Sequence, residues 1–304
     1  MKNTNYSILA LAAMGQKILT INPETGSSEL LIKTPGKSPD GIVVDNVRGH
    51  IYVTNMGIPT GGETLRNNDG SIERIDLDGS NHTIIIPVGS TVTPKQLTLD
   101  RKNDRIYWCD REGMRVMSAK LDGSDIKTLV ERGKGEEQMK DENRHCVGIA
   151  VDPDAGYFYW TQKGPAKGGN GRIYRAKIEM PAGESADNRS DIELLYEHLP
   201  ECIDLELDQV NGYLYWTDRG LESLGGNTLN RAKLENIGKS KIEIIGAGHQ
   251  EAIGLALAPD HQSVFTGDLG GHIRQFDVKT GKQKMIFEGG KELLLTGITL
   301  VKNQ

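Results

Sequence analysis

Five acidic or imidazole side chains lie at or just before the start of short apolar runs, and they could converge on one site. They are Asp40, His145, Glu201, Asp204 and Glu251, and Gln96 takes the place of Asp204 in another run. Several hard oxygen ligands of this kind could bind a divalent cation such as Ca²⁺ or Mg²⁺. Alternatively, His145 and a carboxylate could form an acid–base pair if their surroundings shift their pKa values apart. Each side chain could instead simply anchor its own loop.

A second set of candidates is basic and recurs in phase. Arg111, Lys163 and Arg219 each lie one residue past the same motif, with a glycine close behind. Three further cations are expected on the same side of the molecule: Lys37, Lys95 and Arg144. Cations clustered at one end of an acidic protein favour an anionic ligand such as a carboxylate or phosphate. The alternative is local ion pairing, which the run Asp110-Arg111-Glu112 suggests.

The motif that precedes these cations repeats along the chain and sets its architecture. Its copies are 50-HIYVTN-55, 105-RIYWCD-110, 157-YFYWTQ-162, 213-YLYWTD-218 and 263-SVFTGD-268. The third residues are spaced by 55, 52, 56 and 50 positions. A period in this range indicates a repeat fold. Each copy follows an apolar run and a tight turn, which predicts a β-hairpin, and two further short runs complete a four-stranded unit.

Four strands per repeat predict an all-β fold, a six-bladed β-propeller of four-stranded antiparallel blades. Five units are complete, and the N-terminal strands 7–12, 17–26 and 29–32 lack the first strand of a blade. The segment 297-GITL-300 supplies it, so the N- and C-terminal strands are expected to pair and close the ring. We therefore predict one domain, residues 1–304.

The bulk properties narrow the class of protein. The net charge of −6 argues against nucleic-acid binding, and apolar segments are too short for a membrane span. Three cysteines do not describe a disulfide framework, and Cys109, Cys146 and Cys202 are interpreted mainly as buried thiols. Together these features favour a cytoplasmic protein.

The motif Tyr215–Asp218, with weaker copies at Tyr107–Asp110 and Tyr159–Gln162, resembles the YWTD six-bladed propeller, the class B repeat of the low-density lipoprotein receptor. The resemblance spans essentially the whole chain and suggests a stand-alone microbial-type member. It implies that the motif residues are structural and that Asp110 and Asp218 stitch blades together. It does not imply what an isolated member does.

Long loops are predicted at one end of the ring, at 55–69, 131–147, 162–170 and 218–227. We call it the loop-rich end, and the opposite end, with the tight turns, the hairpin end. Loops on a rigid scaffold often carry function, so we place the site there. Expected catalytic residues are His145, Glu201, Asp204 and Glu251. Expected ligand-binding residues are Asp40, Gln96, Arg111, Arg144, Lys163 and Arg219.

Two classes of function fit this sequence. One is a small-molecule protein that binds a compact, anionic ligand, or an enzyme that catalyses its hydrolysis, elimination or isomerisation. Gluconolactonase-type propellers offer an analogy for that class. The other is a protein-interaction platform like the receptor propellers. Interface hot spots are rich in Trp and Tyr, and the long loops contain no aromatic residues, which favours the small-molecule protein.

Overall fold

Twenty-four β-strands form six four-stranded antiparallel sheets in the computed structural model, which describes residues 5–34, 38–59 and 65–303. The predicted fold class is confirmed. In chain order the strands are β1 (Tyr6–Ala12), β2 (Lys17–Ile21), β3 (Ser28–Lys33), β4 (Pro39–Asp45), β5 (His50–Asn55), β6 (Gly70–Asp76), β7 (Thr83–Thr91), β8 (Pro94–Asp100), β9 (Arg105–Asp110), β10 (Arg115–Lys120), β11 (Lys127–Glu131), β12 (Cys146–Asp152), β13 (Tyr157–Gln162), β14 (Gly171–Lys177), β15 (Glu193–Leu199), β16 (Cys202–Asp208), β17 (Tyr213–Asp218), β18 (Thr228–Lys233), β19 (Glu243–Ala247), β20 (Ala252–Leu257), β21 (Ser263–Asp268), β22 (His272–Asp277), β23 (Gln283–Glu288) and β24 (Leu295–Lys302).

The ring closes as predicted, through a blade built from both ends of the chain. Its strand order is β24-β1-β2-β3, and β24 runs antiparallel to β1 with Leu9 opposite Thr299. The Ser7 hydroxyl also donates a 2.8 Å hydrogen bond to Asn303. The other five blades take their four strands consecutively, from β4–β7 to β20–β23. This pairing covers the edge of β1 that would otherwise be open.

In the part of the chain that the structure describes, helical structure is confined to the long loops. The loop before β12 holds α1 (Gly135–Met139) and a 3₁₀ turn (Glu142–Arg144), and the loop after β17 holds a second 3₁₀ turn (Glu222–Leu224). Within the described ranges, no helix is long and apolar enough to cross a membrane.

The recurring motif builds the core between neighbouring blades. The aromatic residues at its third and fourth positions are buried, with Trp108 packed beside Tyr52 of the preceding blade. The motif threonine makes the direct connection to the next blade: Thr161 and Thr217 donate 2.7 Å hydrogen bonds to the carbonyls of Ile203 and Ile253. Cys109 occupies this threonine position and its thiol lies 3.2 Å from the Gly148 carbonyl, so its predicted packing role is confirmed.

The motif aspartates hold the segment that enters their own blade from the preceding one. Asp110 accepts hydrogen bonds from the backbone N–H groups of Val92 and Thr93, at 3.1 and 2.7 Å. Asp218 accepts one of 2.9 Å from the N–H of Glu201. The connecting role that the resemblance implied is therefore present, and it acts through the linker between blades.

Each innermost strand begins two residues before an equivalent position, which is glycine in four blades and Gln96 or Asp204 in the other two. Gly41, Gly148, Gly254 and Gly297 do not leave open space around the axis. Instead, a Cβ on Gly148 would lie 2.1 Å from the Ile203 carbonyl oxygen, and one on Gly297 would lie 2.5 Å from that of Asp40. These glycines allow adjacent inner strands to approach closely. We call this level of the channel the glycine ring.

Candidate functional site

A repeated backbone hydrogen bond brings the predicted site residues to one level at the loop-rich end. The N–H one residue past each motif donates to the carbonyl one residue before the inner strand: Lys163 to His145 at 3.3 Å, and Arg219 to Glu201 at 3.1 Å. Arg111 makes the same bond to Thr93 at 2.9 Å. Basic and acidic positions from different loops therefore meet around the loop-rich opening of the channel, which we call the mouth.

The first cluster at the mouth joins two neighbouring blades. The Lys95 ammonium lies 2.6 Å from the Asp40 carboxylate and 3.1 Å from the sulfur of Met56. Gln96 donates to the same carboxylate at 3.2 Å. Burial lowers the pKa of Lys95, and the charge of Asp40 opposes that shift. Asp40 is thus engaged with Lys95 and Gln96.

The second cluster centres on Glu201, which is almost fully buried. Its carboxylate accepts from Arg219 at 2.7 Å and lies 3.5 Å from the Lys163 ammonium. The backbone N–H of Lys167 donates to it at 2.8 Å. Glu251 is more exposed and lies 3.8 Å from Arg219. Glu201 therefore anchors two cations and one loop.

The third cluster holds His145 and borders a small cavity. Arg111 binds Glu112 through two hydrogen bonds of 2.8 and 2.7 Å, which confirms the local pairing that the sequence suggested. Burial would raise the pKa of Glu112, but the adjacent Arg111 holds it below its ordinary value. Burial also lowers the pKa of His145, whose Nε2 donates to the Met139 carbonyl at 2.9 Å.

The cavity beside this cluster has a volume of about 150 Å³. Its lining combines three cations, two carboxylates and the imidazole: Arg66, Arg111, Lys163, Glu112, Glu142, His145 and the small Ala166. Among the described residues, it is the place where the predicted histidine and two of the predicted cations face a common space.

Two predicted site residues, Arg144 and Asp204, lie outside these clusters, and Gln96 borders a second cavity as well. Arg144 is bonded to Asp141 and to the carbonyl of Arg132, away from the mouth. Gln96 and Asp204 line a cavity on the far side of the glycine ring, which includes none of the other predicted residues. Asp204 accepts backbone hydrogen bonds from Leu205 at 2.9 Å and Leu255 at 3.1 Å, and burial raises its pKa well above the ordinary value. Lys37 lies outside the described residues.

The predicted carboxylates do not gather around one point. Asp40 and Glu201 are each matched by a cation, and Asp204 lies at the level of the glycine ring and lines the cavity beyond it. Over the described part of the chain, no group of three or more His, Cys, Asp or Glu side chains is arranged to hold a metal ion. The sequence did not indicate that Arg66 and Glu142 would lie beside His145 in one cavity, because Arg66 and Glu142 come from different long loops.

The cysteines are inert in their present surroundings. All three are free and buried. Cys146 and Cys202 pack in two separate hydrophobic cores. Burial raises the pKa of Cys146 to about 12, so its thiol is protonated near neutral pH.

The relatives that match this chain are named after different kinds of protein. No family model matches the sequence. A low-density lipoprotein receptor-related protein 1 from Pyricularia oryzae is 40% identical over 296 residues, which cover 94% of this chain and 92% of that protein. A 3-hydroxyacyl-CoA dehydrogenase-like protein from Cochliobolus heterostrophus is 36% identical over 274 residues, which cover 86% of this chain and 56% of that protein.

Solved structures share the fold at lower sequence identity. A chain in the crystal structure of a nidogen/laminin complex superposes with a TM-score of 0.76 and 20% identity, covering 98% of this chain and 99% of that chain. A gluconolactonase from Xanthomonas campestris gives a TM-score of 0.58 and 16% identity, covering 86% of this chain and 78% of that one. The neighbours thus include a member of a protein complex and a small-molecule enzyme, and at these identities the likeness is one of fold.

Proposed function

The chain belongs to the YWTD six-bladed propeller family of low-density lipoprotein receptor class B repeats, and on that scaffold we propose that the mouth binds a compact anionic small molecule. The observation that carries the proposal is the lining of the 150 Å³ cavity, where three cations face two carboxylates. An anion with a carboxylate or phosphate group would balance that excess of positive charge.

The cations of the cavity differ in their freedom to bind. Arg111 and Lys163 are buried and already paired with Glu112 and with Glu142 and Glu201. Arg66 is exposed at the opening, and no described side chain forms an ion pair with it. Arg66 therefore supplies the direct contact with the ligand, while the two buried cations set the local potential.

His145 is the group in this cavity suited to proton exchange. Its Nε2 donates to a backbone carbonyl, which leaves Nδ1 as the basic atom of the neutral ring. Burial favours that neutral form near pH 7. Turnover at this site would accordingly be hydrolysis, elimination or isomerisation of the bound anion, with His145 as the proton acceptor.

Binding is tested by calorimetric titration with citrate, gluconate, 6-phosphogluconate and inorganic phosphate. We expect at least one anion to bind saturably, and Arg66→Glu to weaken it at least about tenfold, since the change reverses a charge at the opening. Lys140→Ala is the matched control, because Lys140 is an exposed cation of the neighbouring loop that pairs with Glu137. Equal affinity in Arg66→Glu and the unaltered protein would contradict the proposal.

A second candidate, a protein-binding surface, is favoured by exposed apolar residues on the long loops. Ile58 and Leu224 are 59% and 54% exposed. Apolar side chains in such positions suit a protein partner better than a small anion. A Leu224→Ser variant would impair that function and leave anion binding unchanged, so titration with the same anions separates the two candidates.

A further inference from the structure

The channel contains a second cavity, on the hairpin side of the glycine ring, and it shares no lining residue with the cavity at the mouth. Its volume is about 330 Å³, within the range of small-molecule sites. Turn residues Asn46, Arg101 and Pro259 border it, which places its opening at the hairpin end. We call it the chamber.

The chamber is lined by residues from one equivalent position of the inner strands. Two residues beyond each position of the glycine ring, five blades contribute Val43, Thr98, Ala150, Ala256 and Thr299, and the sixth contributes Glu206. Four of those five uncharged residues line the chamber together with Glu206. Glu206 is therefore the charged residue at this position of the inner strands, and Asp204, Gln96, Asn46 and Arg101 add further polar groups to the lining.

Glu206 has no hydrogen-bond partner within residues 5–34, 38–59 and 65–303. Burial raises its pKa to about 7, an effect that the nearby Arg101 opposes and Asp208 reinforces. Asp204, which occupies a position of the glycine ring, is held by two backbone N–H groups and is the other carboxyl group of the chamber. Asp208 itself is bonded to His261 and Asn211.

Arg101 lies at the chamber opening and has N–H donors left to bind a ligand. One guanidinium nitrogen donates a 2.6 Å hydrogen bond to the Val44 carbonyl, which fixes the side chain across two blades. A guanidinium has five N–H donors, so most remain for an acceptor that enters the chamber. The chamber thus offers a cation at its opening and a carboxyl group deeper inside.

We propose that the chamber binds a small zwitterion, with its ammonium group on Glu206, its carboxylate on Arg101 and its carbon chain against Val43 and Ala256. A ligand with both charges satisfies both groups at once, whereas a simple anion would leave Glu206 without a partner. Thr98 and Thr299 supply hydroxyl groups for the remaining N–H donors of the ligand.

The test is calorimetric titration with glycine, β-alanine and γ-aminobutyrate, which present the two charges at increasing separation. We expect saturable binding of at least one, with Glu206→Gln and Arg101→Met each weakening it at least tenfold. Butyrate and butylamine, which each lack one charge, should bind at least tenfold more weakly than γ-aminobutyrate. Thermal melts of both variants check that the fold is retained, and Glu206→Gln preserves the shape of the side chain.

Proton release gives an independent readout. Because Glu206 must be ionised to hold an ammonium group, binding near pH 6 should release protons, and the measured heat should depend on the buffer. Saturable binding that is unaffected by Glu206→Gln, or butyrate binding as well as γ-aminobutyrate, would overturn the proposal. So would absence of binding for all three zwitterions.

The chamber and the mouth are tested separately. The Arg66→Glu variant alters the mouth alone and should retain zwitterion binding, while Glu206→Gln should retain binding of anions at the mouth. Loss of zwitterion binding in Arg66→Glu would assign that ligand to the mouth and refute the chamber site.

Discussion

The same motif aspartate has very different surroundings in different blades. Asp110 is matched by the guanidinium of Arg115 at 2.5 Å in addition to its backbone donors. Asp218 has backbone donors on one oxygen only, and its Oδ2 is buried without a partner among the described residues. Burial, reinforced by the charge of Glu201, raises the pKa of Asp218 to about 7. Its ionisation therefore opposes folding.

Asp218→Asn is expected to stabilise the protein at pH 8 by about 2 kcal/mol, because it removes a buried charge and keeps the oxygen that accepts from Glu201 and Gly220. The sign follows from proton linkage. A carboxyl whose pKa is raised by folding costs stability as pH rises from about 4, its unfolded value, to about 7. The gain should therefore shrink toward zero at pH 4, as measured by urea unfolding at both pH values.

Asp110→Asn is the matched control, and its effect should have the opposite sign. It leaves the partly buried Arg115 without its carboxylate and should cost about 1–3 kcal/mol at pH 8. Equal destabilisation by Asp110→Asn and Asp218→Asn at pH 8 would show that the different surroundings do not determine how each aspartate affects stability.

At the scale of the strand, the glycine ring determines how closely the blades pack at the axis. Gly148→Ala is expected to cost about 3 kcal/mol, because its Cβ would lie 2.1 Å from a backbone oxygen of β16 that cannot move independently. Gly267→Ala is the control, since its Cβ would meet the Ile298 methyl group at 3.0 Å, a side chain that can adjust. Thermal unfolding of both variants should show a clearly larger loss for Gly148→Ala.

The strands were predictable from the sequence because each blade repeats the alternation of apolar residues and turns. Side-chain direction at the glycine ring was harder to predict, since Gln96 and Asp204 stand where the other blades have glycine, and a missing Cβ can signify open space or close contact. The role of Glu206 was missed, although a signal existed. Glu206 is charged, whereas the equivalent positions of the other inner strands are uncharged: Val43, Thr98, Ala150, Ala256 and Thr299.

The mouth was only partly predictable for a different reason. Its clusters depend on long side chains from non-equivalent loops, such as Lys163 reaching Glu142 and Glu201. Loop conformation follows no period, so the sequence indicated which residues share the loop-rich end and left their partners open. Arg144 illustrates this, because its 3₁₀ turn directs it to Asp141.

At the scale of the whole molecule, the pairing of β24 with β1 closes the ring of blades. The β24 residues Leu295, Ile298 and Leu300 are buried, and burial of such side chains is worth roughly 1.5–3 kcal/mol each. Removing residues 295–304 should therefore cost an amount comparable with the whole stability of a domain, about 5–15 kcal/mol. We expect loss of the cooperative thermal transition and association through the open edge of β1.

Size-exclusion chromatography and melting curves check this expectation. Removal of residues 303–304 alone is the control, because it leaves β24 intact and removes the hydrogen bonds of Asn303 to Ser7 and to the Asn5 carbonyl. A monomeric 1–294 chain that melts cooperatively at the same temperature as the full chain would contradict it.

The pairing of β24 with β1 also has a consequence for biosynthesis. Leu9 pairs with Thr299, so β1 emerges from the ribosome about 290 residues before the strand that pairs with it. At about 5–20 residues per second, that interval is roughly 15–60 seconds, during which the nascent edge of β1 is exposed to other polypeptides. Chaperone capture of the nascent chain is therefore expected to matter more for this protein than for one whose N-terminal strands find partners locally.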